Sequence, residues 1–230
     1  MPHLQPVTWR DEFPVMGDQG APVLIHEAPV TKPCDYMIAT SDTFQGKTLG
    51  LQWQWQAHEN PSWYQRSGNL RLFAYPAASL FHAGQYLSQL MQAFNSCWEI
   101  PVTVHFTSDK QRAGVAMMGY SYRYLCLEQG RIALYDGAAA EGSRREKEVV
   151  RERLITSIPF AENTATLTME IADGQVNFGY DGQTVGEPFV MTPGGWTCSR
   201  PGIFCADFGV GDHKTAWANF TEVRITDLDL

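Results

Sequence analysis

The sequence predicts an all-β fold, an antiparallel sandwich or barrel, on three observations. Its 230 residues include 7 Trp, 9 Tyr and 12 Phe alongside 20 Gly and 13 Pro, a mixture that favours strands and tight turns over helices. Segment after segment alternates apolar and polar residues with a period of two, the signature of a strand with one buried face. Between these segments stand turn dipeptides, Asp136-Gly137, Asp173-Gly174 and Asp181-Gly182, which tolerate positive φ. At 44% hydrophobic and 18% charged the chain is globular, and long enough to bury a large core.

Taken in order, residues 1–33 are rich in proline (Pro2, Pro6, Pro14, Pro22, Pro29, Pro33) and carry two short apolar runs, Val7-Thr8-Trp9 and Pro22-Val23-Leu24-Ile25. This reads as an extended strap, with the sandwich proper over residues 34–230. From Leu49 the pattern sharpens: Leu49, Leu51, Trp53, Trp55 and Ala57 alternate with Gly50, Gln52, Gln54 and Gln56, which predicts a central strand. Further strands are expected at Leu70–Ala74, Val102–Phe106, Ala113–Met118, Tyr120–Leu127, Arg131–Tyr135, Thr164–Ile171, Val176–Tyr180, Ile203–Val210 and Ala216–Ile225. The predicted core is built on Leu51, Trp53, Trp55, Leu72, Val104, Val115, Phe178 and Phe220.

Two stretches break the pattern. Leu80, Ala83, Gly84, Leu87, Leu90, Met91 and Phe94 fall at helical spacing, so Ser79–Phe94 reads as one amphipathic helix. Ser143–Arg153 interleaves Arg144, Arg145, Lys147, Arg151 and Arg153 with Glu146, Glu148 and Glu152, and reads as a solvated hairpin or short exposed helix.

With 25 acidic and 17 basic side chains the net charge is −8, which argues against a nucleic-acid partner. No apolar run of about 18 residues is present, and the N-terminus lacks a basic patch followed by an apolar stretch. No membrane span or export signal is therefore expected, and a chain complete as written would be cytoplasmic. The five cysteines (Cys34, Cys97, Cys126, Cys198, Cys205) show no CxxC spacing and read as mostly buried free thiols, with a Cys198–Cys205 bridge left open.

A catalytic sandwich needs carboxylates on alternate residues of one strand, so that an acid and a nucleophile face one cleft about 5 to 5.5 Å apart. No Glu-x-Asp-x-Glu occurs, and Glu170-Ile171-Ala172-Asp173 has the wrong spacing. Asp207, flanked by Phe204 and Phe208, is either a hydrogen-bonded sheet aspartate or faces an open groove. The six histidines are isolated, and no nucleophile elbow, phosphate loop or dinucleotide fingerprint is present. No catalytic group is assigned. Aromatic rings can stack on sugars, and Trp63 and Tyr64, beside Asn60-Pro61, are stacking candidates together with Trp196. Trp53 and Trp55 read as core. No cofactor or metal is indicated; Asp181 and Asp227–Asp229 offer oxygens to a calcium ion, without a ligand spacing that argues for one.

Specific runs resemble a known family. Pro2-His3-Leu4-Gln5-Pro6-Val7, Trp9, Asp11, Pro14-Val15 and Gly17 are similar to the segment that leaves the five-bladed catalytic propeller of glycoside hydrolase family 43, the β-xylosidase and α-L-arabinofuranosidase group. Leu49-Gly50-Leu51-Gln52-Trp53-Gln54-Trp55, Asn60-Pro61 and Gly68-x-Leu70-Arg71-Leu72 resemble its C-terminal domain. So do Ala113-Gly114-Val115, Gly119-Tyr120, Tyr180-Asp181-Gly182 and Ala218-x-Phe220. The resemblance implies an antiparallel two-sheet concanavalin A-like jelly-roll sandwich. It puts the catalytic carboxylates in a propeller that would precede residue 1, so none carries over. It replaces the predicted helix at Ser79–Phe94 by loop and strand. It makes Ile203 or Phe204 the candidate for a substrate-pocket wall, to which Asp207 of the same strand is added on its own reading, and Leu4, Trp9 and Phe13 are candidates for docking on the propeller.

Two functional classes follow. One is a non-catalytic accessory sandwich that packs on a family 43 propeller, in cis or in trans, and helps to shape a pocket for plant cell-wall oligosaccharides of xylose or arabinose. The other is a free-standing carbohydrate-binding module, with an inactive remnant of a split glycosidase gene as a third reading.

Overall fold

The computed structural model describes residues 4–27, 40–91, 93, 95–139, 149–194, 198–209 and 215–228. Contacts divide the chain into two units, Met1–Met37 and Ile38–Leu230. In the first, strands β1 (Val7–Arg10) and β2 (Phe13–Met16) pair antiparallel, with Val7 opposite Met16 and Arg10 opposite Phe13. The two-residue turn between them places Asp11 and Glu12 at φ of 45° and 67°, the geometry that matches the twist of a tight hairpin. A lone two-stranded ribbon has one layer and buries little. Leu4, Trp9 and Phe13 are 85%, 71% and 73% exposed.

The second unit holds β3 (Gln54–Trp55), β4 (Tyr64–Arg66), β5 (Leu70–Phe73), β6 (Tyr75–Pro76), β7 (Leu87–Ser88), β8 (Ser96–His105), β9 (Gln111–Met118), β10 (Ser121–Glu128), β11 (Arg131–Ala139) and β12 (Val149–Pro159). These are followed by β13 (Thr164–Ala172), β14 (Gln175–Tyr180), β15 (Gln183–Thr184), β16 (Phe189–Val190), β17 (Arg200–Asp207), β18 (Trp217–Phe220) and β19 (Arg224–Asp227). One sheet runs β12-β11-β10-β9-β17-β7-β3, with β6 parallel to β17. The other runs β15-β14-β13-β8-β18-β5-β4, with β16 on β14 and β19 on β8. Every pairing but β6 with β17 is antiparallel. This is the two-sheet concanavalin A-like sandwich that the resemblance implied.

Period two explains the core. In β8 the residues Trp98, Ile100, Val102 and Val104 are buried while their neighbours are half-exposed, and β13 does the same with Ala165, Leu167, Met169 and Ile171. They meet Val115, Met117, Leu125, Leu127, Ile132, Leu134, Ile203 and Cys205 from the facing sheet in one apolar cluster. Unlike β8, strands β9, β10 and β17 are buried at nearly every position. Their other parity, with Ala116, Tyr122, Tyr124, Cys126 and Phe204, forms a second cluster on the sheet's outer face with Leu80, Ala83 and Tyr86.

The local expectations fare unequally. Asp173–Gly174 and Asp181–Gly182 are turns with positive φ at both residues. Asp136–Gly137 instead lies inside β11, where the register shifts by a bulge. A Cβ at Gly137 would stand 2.2 Å from Cζ of Tyr122, so the glycine makes room for a ring. The alternation from Leu49 to Ala57 does not make a central strand. Only Gln54–Trp55 pair, on β7 at the sheet's edge, and Leu51 is fully exposed at a turn. The reason is Trp53, whose indole Nε1 donates to Asp42 Oδ2 at 2.9 Å and whose ring packs 5.7 Å from that of Phe44; once this ring turns inward, the turn before it carries Leu51 out. Of the remaining predicted core, Leu72, Val104, Val115, Phe178 and Phe220 are buried and Trp55 is half-buried.

Ser79–Phe94 is not a helix. Leu80–His82 make one 3-10 turn and Leu87–Ser88 a strand, while Phe94 lies outside the described residues. The helical spacing arose because Leu80, Ala83 and Tyr86 pack on one sheet while Leu87 enters the other core cluster. The charged stretch from Ser143 is described only from residue 149, where it is strand β12, paired antiparallel with the preceding β11 as the returning arm of a hairpin and not a helix. Cys198 is exposed and Cys205 buried, and both are free. No helix among the described residues is long and apolar enough to cross a membrane.

Candidate functional site

The outer face of the first sheet concentrates polar chemistry. Tyr124 of β10 sits opposite Tyr135 of β11 and Ala116 of β9, so alternate residues of three adjacent strands share this face. Rings of Tyr124 and Tyr135 stack at 5.1 Å and 14°, Tyr122 and Tyr124 at 6.4 Å and 14°, and Phe204 meets Tyr124 edge-on at 5.4 Å. Arg112 of β9 enters between them, with its guanidinium carbon 4.1 Å from the Tyr135 ring centre and 4.7 Å from that of Phe208.

Two carboxylates close on that arginine. Glu128 Oε1 lies 2.6 Å from Arg112 Nε and accepts from the Tyr135 hydroxyl at 2.7 Å, while Oε2 pairs with Arg131. Glu152 Oε1 accepts from the Leu80 amide at 2.7 Å and the Tyr122 hydroxyl at 2.9 Å. Its Oε2 accepts from the Tyr124 hydroxyl at 2.7 Å and stands 3.6 Å from Arg112 Nη1, which donates to that same hydroxyl at 2.8 Å. Burial, and after it the charge of Glu152, pushes the Tyr122 phenol up; Tyr124 is raised likewise by burial. Burial would lower the Arg112 pKa, but the acidic groups around it hold it above its ordinary value.

Each carboxylate oxygen of this network already has a partner, and the Glu128 and Glu152 side chains are only 2% and 11% exposed; Arg112 Nε stands against Glu128 as an ion pair without hydrogen-bond geometry. Sequence reasoning missed it: Glu152 stood in a run read as solvated, and Arg112 and Glu128 were not singled out. The available signal was Tyr122-x-Tyr124-x-Cys126-x-Glu128, a period-two line of polar-tipped rings ending in a carboxylate.

The residues expected to wall a pocket do not do so. Ile203, Phe204 and Asp207 have no exposed surface: Ile203 points into the core between the sheets, and Phe204 packs under Tyr124. Asp207 accepts from Gln111 Nε2 at 3.0 Å and from the Gly209 amide at 2.7 Å, the satisfied sheet aspartate of the two readings. Since β17 lies in the interior of its sheet with both faces covered, none of the three can touch a sugar.

The stacking candidates are partly brought together. Trp63 and Tyr64 are half-buried around Trp55, with ring centres 5.6 and 5.2 Å away. Asn60 sets their approach, its side-chain oxygen accepting from the Ser62 amide at 3.0 Å at the start of the 3-10 turn Pro61–Trp63. Trp63 rests on Gly84, where a Cβ would lie 2.9 Å from its ring. The Tyr64 hydroxyl donates to Glu59 at 2.6 Å, and that bond raises its pKa. Trp196 lies outside the described residues. Among the described residues no cluster of three or more His, Cys, Asp or Glu is arranged to hold a metal, and Asp181 Oδ1 accepts from the Thr166 amide instead.

A family model, that of the beta-xylosidase C-terminal concanavalin A-like domain, matches residues 41–226. The chain belongs to this family. Among solved structures, this concanavalin A-like domain is similar to the GH43 BlXynB protein from Bacillus licheniformis, at 19% identity and a TM-score of 0.78, covering 96% of this chain and 46% of that one. It is also similar to xylan beta-1,4-xylosidase from Bacillus halodurans, at 19% identity and a TM-score of 0.72, with 97% and 46% covered. A bifunctional GH43-CE protein from Bacteroides eggerthii gives 20% identity and a TM-score of 0.77, with 98% and 30% covered. At this level of identity the likeness carries the fold, and the domain spans less than half the length of each of these chains. No curated protein sequence matches it.

Proposed function

We propose that this chain is a non-catalytic accessory sandwich that docks on a family 43 catalytic propeller and borders a pocket for xylose- or arabinose-containing oligosaccharides. The observation that carries the reading is the ribbon of the first unit. It leaves Leu4, Trp9, Phe13 and Leu24 more than two-thirds exposed, and a two-stranded ribbon has no second layer to cover them. Leu4 and Trp9 belong to the run that resembles a propeller exit. The Arg112–Glu128–Glu152 network, whose carboxylate oxygens are all engaged, supports a structural rather than a catalytic role for the sandwich.

Hydrogen exchange tests the reading. Amides of residues 4–16 should exchange quickly in the chain alone and become protected when a family 43 catalytic domain is added, with Trp9→Ala and Phe13→Ala together weakening that protection. Exchange indifferent to the added propeller would sink the proposal. The Trp55, Trp63 and Tyr64 cluster favours a second reading, a free carbohydrate-binding module. Tryptophan fluorescence that shifts saturably with xylo-oligosaccharide in the isolated chain, and no longer does so in Trp63→Ala, would promote it.

A further inference from the structure

A cavity of about 500 Å³ opens between the start of the sandwich unit and its last strands, lined by Asp42, Thr43, Thr48, Gln52, Arg66 and the Glu222–Arg224 pair. Most of its charged groups have partners. Arg224 holds Glu222 at 2.7 Å and reaches Glu99 at 3.4 Å. Asp42 accepts from the Phe44 amide at 2.6 Å and from the Trp53 indole at 2.9 Å.

Arg66 is different. It stands in β4, the edge strand of the second sheet, and its Nε and Nη1 are buried without a hydrogen-bond partner. Among the described residues it makes no ion pair. Buried donors left open on a permanent cation are costly, and the group that satisfies a guanidinium best is a carboxylate, which takes the two parallel N–H donors of one edge, Nη2 together with either Nε or Nη1. Across the same cavity Asp42, Thr43, Thr48 and Gln52 offer acceptors with no further cationic group free, which suits a ligand that also carries hydroxyl donors. The volume takes one or two sugar rings.

We propose that this cavity is a subsite for a uronic acid, its carboxylate on Arg66 and its hydroxyls toward Asp42, Thr43, Thr48 and Gln52. The site lies wholly within the sandwich unit and does not depend on propeller docking. Titration of the full chain with sodium D-glucuronate, followed by amide chemical shifts, tests it. Saturable shifts at Thr43, Gly46, Thr48 and Gly50 are expected, with D-glucose binding about tenfold more weakly because it lacks the charged pair. Arg66→Gln should lose glucuronate binding, and Arg66→Lys, which keeps the charge without the fork, should fall between; the second variant serves if the first fails to fold. Raising salt should weaken glucuronate alone. No saturable shift, equal binding of glucose, equal binding of acetate, or binding that survives Arg66→Gln would each overturn the proposal.

Discussion

Arg112 and Glu128 meet at 2.6 Å on the outer face of a sheet whose strands are covered on both sides, with side chains 15% and 2% exposed. Removing one member of such a pair leaves an uncompensated charge in a dry site. Glu128→Gln or Arg112→Met should each cost about 3 to 5 kcal/mol in urea denaturation. Their combination should cost less than the sum, because the two act as one unit. A single-variant loss below about 1 kcal/mol would show the network to be solvated.

The tyrosines of that face set an alkaline limit. Tyr86, Tyr122, Tyr124 and Tyr135 are all raised above the ordinary phenol value, with burial the largest cause in each. A phenol whose folded pKa exceeds its unfolded one binds more protons in the folded state once pH passes the unfolded value. Its stabilising contribution is therefore complete below about pH 10 and is lost as pH rises beyond it. Each such group then removes about 1.4 kcal/mol per pH unit, so the unfolding midpoint should fall steeply above pH 10. Phenolate absorbance should show these four titrating only with unfolding. Full, reversible titration of all nine tyrosines of the sequence near pH 10 in the folded protein would contradict the burial.

The Leu-Gly-Leu-Gln-Trp run should separate into unlike halves. Trp53→Ala removes a buried ring that is hydrogen-bonded to Asp42, and should cost about 3 to 5 kcal/mol. Leu51→Ala, at a fully exposed position, should stay within about 0.5 kcal/mol of the parent. Equal melting shifts for the two would restore the central strand that alternation predicts.

The isolated chain should hydrolyse neither aryl β-xyloside nor aryl α-arabinofuranoside. Glu128 and Glu152 both close on Arg112, and both are occupied by arginine, tyrosine and amide donors. Turnover that persists on purification and vanishes in Glu152→Gln would overturn the structural role given to the network.

Period two was enough to place most strands, because a sheet with one buried face writes its geometry on every second residue: Trp98, Ile100, Val102 and Val104 alternate in the sequence as they do in the sandwich. The same rule misled at Leu51. There a single long-range bond from Trp53 to Asp42, and the turn it allows, outweighed local alternation. The helical period misled at Ser79–Phe94, where the spacing came from residues that reach two different clusters.

The family was legible in short exact runs of residues, and so was the absence of a catalytic carboxylate motif on one strand. What only the tertiary structure decided is which outward-facing residues meet. Arg112, Glu128 and Glu152 come from three strands, two of which, β9 and β12, are not neighbours in the sheet. Arg66 shares its cavity with Asp42 and Glu222, far from it in the chain. Alternation records which face a side chain takes; pairing between distant strands, which depends on packing the whole sheet, sets its neighbours on that face.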